Sequence, residues 1–166
     1  RDHPAERGYS ANGLEGSLMF DTHAHLLAEQ FDEDRAGLIA GLSTQLDYVV
    51  EAATDMDNAK QAQRLAMDND FIYCSAGVHP HDAANAQSDY LQTLADLLTY
   101  EKCVAVGEIG LDYPYDYSPR DVQPGVFAEQ RDLAVQCDKP VIILDREEPG
   151  DTLQMVEKFP GRRRGL

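Results

Sequence analysis

After an opening segment, the chain alternates short apolar runs with longer stretches in which apolar residues recur three and four positions apart. The runs are "LMFD", "DYVVEAA", "FIYCSAGV", "CVAVGEIG" and "PVIIL". Most are apolar on both faces, as expected of strands covered on both sides in a parallel sheet. The intervening stretches "DEDRAGLIAGLST", "DMDNAKQAQRLAMDN", "SDYLQTLADLLTY", "SPRDVQPGVFAEQRDLAVQC" and "DTLQMVEKF" have the spacing of helices. Alternation of this kind predicts an α/β fold built on a parallel sheet, either doubly wound or closed as a barrel.

Local signals refine the boundaries. Ser88 is placed to cap the third helix, and Ser118 followed by Pro119 fits a cap with proline at the first helical position. Pro124 and Gly125 fall inside the fourth helical pattern, where a proline costs about 3 kcal/mol and a glycine about 1. A kink or a later helix start is expected there. Residues 1–18 mix Gly, Pro, Ser and charge without periodicity, so they read as a disordered leader or upstream sequence, with Met19 as the natural start. Residues 19–166 read as one domain.

Charge narrows the chemistry. Fourteen basic against 30 acidic residues give a formal charge of -16, which repels a polyanion unless cations are recruited to the binding face. The same surface also keeps a protein in solution. Cys74, Cys103 and Cys137 are odd in number and set in apolar contexts, as expected of reduced buried thiols. No apolar run approaches the roughly 18 residues that span a bilayer, and the expected setting is cytoplasmic, with no membrane partner.

Four of the five histidines occupy two short stretches, "FDTHAHL" and "GVHPHDA". In an extended segment residues two apart share a side, so His23 and His25 can offer both imidazoles to one point. That is a metal clip, or a pair of exposed turn histidines. Asp21 can ligate or orient an imidazole. Glu108 in "VGEIGLD" ends an apolar run, where a carboxylate is costly to bury unless it meets a cation or donors; it is a third ligand candidate. Gly77 permits close backbone approach and Pro80 stiffens the turn that carries His79 and His81, which can face a phosphate or be satisfied by turn carbonyls. Tyr113, Tyr115 and Tyr117 can stack on nucleobases at the mouth of a cleft or pack on their own loop.

Taken together, "FDTHAHL", "GVHPHDA", "VGEIGLDY", "SPRDVQPGVFAEQRDLAVQCDKPVII" and "DREEPGDTL" resemble the TatD family of metal-dependent deoxyribonucleases. The resemblance implies a (β/α)8 barrel of the TIM type and hydrolysis of DNA phosphodiester bonds, often from the 3′ end of single strands. It also implies a site for two divalent ions, magnesium or manganese, with zinc as a further option. On this likeness His23, His25 and Glu108 are metal ligands. Glu108, His79, His81, Asp112 and Arg146 fall in motifs that line the catalytic site.

Departures accompany the matches. Where the family resembled places a ligating histidine after the fifth strand, this chain has Leu144 in "VIIL", and leucine has no lone pair to donate. An eight-unit barrel typically takes about 250 residues, against 166 here. The expectation is therefore an incomplete barrel of about five β/α units, the N-terminal portion of a TatD-like hydrolase, with weak or no activity of its own. Two alternatives stand beside it: another barrel hydrolase acting on a lactone, amide or small phosphoester, and a non-catalytic remnant.

Overall fold

The structure is a computed structural model that describes residues 18–115, 117–146 and 149–158. The leader expected at the N-terminus lies, but for Leu18, outside the described residues. All five expected strands form: β1 (Phe20–Ala24), β2 (Tyr48–Glu51), β3 (Ile72–Ala76), β4 (Cys103–Asp112) and β5 (Val141–Arg146). They alternate with α1 (Arg35–Leu42), α2 (Met56–Asp68), α3 (Tyr90–Leu98), α4 (Gln123–Gln136) and α5 (Pro149–Glu157). Every strand pair is parallel, and the order is β1-β2-β3-β4-β5. A doubly wound sheet reverses its order at a switch point. Steady progression from each strand to the next is the path of a barrel wall, here left incomplete.

The main core lies between the sheet and its helices, where Val49, Ile72, Cys74, Leu94, Val106, Ile109, Leu111 and Phe127 are fully buried. Neighbours one position along point to the other side: Val50, Ala105 and Ile142 form a small second cluster there, as period-two alternation requires. Local chemistry sets some of the ends. Asp55 caps α2 by accepting from the N–H groups of Asp57 and Asn58, each at 2.8 Å.

Four expectations change. Four of the five residues of β1 are exposed rather than covered, because β2 alone flanks it among the described residues. Ser88 does not cap α3; Asp89 holds that position without a side-chain bond. Ser118 does not cap α4 either, since its hydroxyl is drawn to the backbone of the His81 loop. α4 does start late, at Gln123, which puts Pro124 in the first turn, where its missing N–H is harmless. Finally, Cys74 and Cys103 are buried free thiols, whereas Cys137 is only partly covered.

Candidate metal centre

β1 carries His23, His25 follows its last residue, and β4 carries Glu108; both strands are irregular around His23 and Glu108. The β1–β2 register shifts between Asp21 and Ala24, and the β4–β5 register shifts between Val106 and Ile109. Such bulges re-aim a side chain relative to the regular pleat. Glu108, expected at the end of its strand, lies inside β4, because pairing with β5 resumes and continues to Asp112.

His23, His25 and Glu108 converge. The Nε2 atoms of the two histidines lie 3.2 and 3.6 Å from Glu108 Oε2, and one donor atom from each residue falls within 4.8 Å of the others. Glu108 is only 3% exposed, while the imidazoles are 38% and 43% exposed. The cluster is therefore a buried carboxylate under two solvent-facing rings. His25 Nδ1 is 3.0 Å from the Ala52 carbonyl oxygen. A carbonyl only accepts, so Nδ1 carries a proton here, and Nε2 is the ring atom that faces Glu108. Two imidazole nitrogens and one carboxylate oxygen fit a single divalent ion in number and chemistry. Asp21 stands apart: its Oδ1 accepts from the His23 backbone N–H at 3.0 Å.

A cavity of about 540 Å³ opens beside this cluster and is lined by His25, Glu51, His79, His81, Glu108, Leu144 and Arg146. Leu144 thus faces the same space without offering a donor. His79 Nδ1 accepts from the His81 N–H at 3.1 Å, which leaves the proton on Nε2. Burial holds this imidazole below the ordinary histidine range, against the opposing charge of Glu108. His79 is accordingly a neutral N–H donor at pH 7. His81 Nε2 lies 2.7 Å from Asp112 Oδ2, and Arg146 Nε reaches the same oxygen at 3.5 Å. Asp112 is fully buried, and its Oδ1 has no hydrogen-bond partner among the described residues.

Four residues that sequence reasoning missed hold this arrangement. Gln130, fully buried on α4, accepts from the Val78 N–H at 2.7 Å and donates to the Val78 carbonyl at 3.1 Å, just ahead of His79. Gln123 does the same for Asp112, accepting at 2.9 Å and donating at 3.3 Å. Ser75 donates to the Gly107 carbonyl at 2.6 Å and so ties β3 to the peptide that precedes Glu108. Glu51 takes the N–H groups of Leu26 and Leu27 at 2.6 and 3.0 Å, pinning the turn after His25. The available signal was the seven-residue spacing of the two glutamines, which puts them on one helix face. Of the three loop tyrosines, Tyr113 is buried under Arg120, so it is not a stacking surface, whereas Tyr115 and Tyr117 are 51% and 67% exposed.

A parallel β/α barrel wall with two imidazoles and a carboxylate gathered above it defines a class, the barrel hydrolases that work with divalent ions. A family model described as TatD related DNase matches residues 20–165, and the chain belongs to that family. It is 37% identical over 142 residues to YabD of Bacillus subtilis (strain 168), an uncharacterized metal-dependent hydrolase, covering 85% of this chain and 56% of that protein. It is 29% identical over 148 residues to the 3'-5' ssDNA/RNA exonuclease TatD of Escherichia coli (strain K12), covering 86% of this chain and 57% of the relative. The crystal structure of YJJV, a TatD homolog from E. coli K12, superposes with a TM-score of 0.77 at 27% identity, over 85% of this chain and 56% of that one. The chain thus spans a little over half the length of these relatives.

Proposed function

We propose that this chain binds a divalent ion through His23, His25 and Glu108 and serves the hydrolysis of DNA phosphodiester bonds, releasing nucleotides from single-stranded 3′ ends. The observation that carries the reading is the convergence of those three donors beside a cavity that also presents His79, His81 and Arg146. Similarity to a 3'-5' ssDNA/RNA exonuclease supports the substrate class. Magnesium or manganese is the expected ion, and zinc also suits two imidazoles. When bound, the ion supplies Lewis-acid polarisation of a phosphoryl oxygen and offsets the chain's negative charge at the phosphate. A second divalent ion belongs to the same proposal.

The chain's own residues divide the remaining work. His79, neutral and protonated on Nε2, donates a hydrogen bond to a phosphate oxygen. Arg146, 43% exposed, holds a fixed positive charge at the cavity. Asp112 fixes the His81 ring through Nε2. Leu144 lines the cavity without contributing a donor, so activity of the chain as it stands is weak or absent. Three free cysteines accord with a reducing, cytoplasmic setting.

Titration calorimetry with manganese, alongside nucleotide release from 3′-labelled single-stranded DNA, tests the reading. Glu108→Gln should weaken manganese binding by about a hundredfold or more, since loss of mere supporting groups already costs 10–100-fold. Leu144→His should raise metal-dependent nucleotide release. Manganese binding that is the same in wild type, His23→Ala and Glu108→Gln would sink the assignment.

A further inference from the structure

We infer that Tyr115 and Tyr117 form a stacking platform for one unpaired nucleobase of the substrate strand, next to the phosphate-facing residues. This rests on the nucleolytic reading above and adds a subsite to it. Tyrosines that merely pack a loop bury their rings, as Tyr113 of the same loop does at 8% exposure. Tyr115 and Tyr117 instead keep 51% and 67% of their surface in solvent. Their ring planes agree within 7°, with centroids 6.0 Å apart. Two exposed rings held in parallel are set up to receive a third.

The platform is anchored from the catalytic side. The Arg146 guanidinium sits 4.6 Å from the Tyr115 ring centroid, in the range of a cation–π contact. The His81 ring meets Tyr117 at 4.7 Å and Tyr115 at 5.8 Å, and Asp112 fixes His81 in turn. A phosphate at Arg146 would therefore place the adjoining base over the tyrosines.

Charge selects the occupant. A chain of formal charge -16 gains little from a long phosphate track, so affinity must come from contacts that do not depend on phosphate charge. Stacking is such a contact, and it accepts any base because every base has a π-face. A base within a duplex is already stacked and paired. The subsite therefore selects single-stranded ends and does not read sequence.

The chain contains no tryptophan, so Tyr117→Trp supplies a single reporter at an exposed position. The titrant is a short oligothymidylate with phosphorothioate linkages that resist hydrolysis. Its control is the same backbone with abasic residues, and both are run in magnesium. Tryptophan emission should be quenched by the base-bearing strand and not by the abasic one. In unlabelled protein, Tyr117→Ala should weaken oligothymidylate binding roughly tenfold, with Tyr117→Phe restoring it. Equal quenching by both strands, binding of neither, or unchanged affinity in Tyr117→Ala overturns the platform. Because the readout is binding rather than turnover, loss of the platform leaves the manganese assignment standing, and loss of that assignment leaves this result standing.

Discussion

Glu51 shows how much one side chain can do by holding backbone. It is 1% exposed and lines the cavity, and its two oxygens take the backbone N–H groups that follow His25. Burial pushes its carboxyl above the ordinary range, partly offset by those two N–H groups and by Arg35. The folded chain therefore holds this proton more tightly than the unfolded chain does. Between about pH 4.3, where an unfolded glutamate ionises, and the raised native value, stability should fall as pH rises. Glu51→Gln should flatten that part of the profile, and urea unfolding at a series of pH values would show it. An unchanged slope would mean that Glu51 is not the responsible group. His23, His25 and Glu108 were legible as ligand candidates because residue type and spacing carry their chemistry. Glu51 was not, because its partner lies 25 residues away in sequence and nothing in "DYVVEAA" points there.

At the level of elements, α4 is both a covering helix and a clamp. Gln123 and Gln130 are among the largest fully buried side chains, yet Gln123 bonds the backbone of Asp112 at the end of β4 and Gln130 that of Val78, just ahead of His79. Gln130→Leu keeps the volume but strands the N–H and carbonyl of Val78, at about 1–3 kcal/mol for each unpaired group. A fall of about 3 kcal/mol in urea-derived stability is expected. Gly110 is a second pressure point. A Cβ there would lie 1.9 Å from the Leu144 carbonyl oxygen, and its φ of +150° is one that side chains rarely adopt. Gly110→Ala should cost about 3 kcal/mol or fail to fold, as judged by thermal melts. Helical and strand periods predicted the five strands and five α-helices among the described residues, since burial imposes those periods. Boundaries at Ser88 and Ser118 were misplaced because a hydroxyl can cap a helix or bond a distant loop, and only packing chooses.

For the whole molecule, the site ties the first strand to the fourth across an open sheet. Residues 20–23 of β1 are exposed, and His23 in β1, with His25 just after it, reaches Glu108 of β4. An ion held by that cluster would link the two, so manganese at a hundred times its dissociation constant should stabilise the fold by about 2.7 kcal/mol. Chelator should reverse the gain in a thermal melt, and His23→Ala should show neither effect. Order along the chain determined the fold class, the number of β/α units and the kinds of donor present, because apolar period and residue chemistry are local properties. Tertiary structure decided that His23, His25 and Glu108 meet at one point, that Leu144 shares their cavity, and that Tyr113 is buried while its two neighbours are not. Those outcomes depend on strand register, bulges and the glutamine clamps, which arise only when segments far apart in sequence pack together.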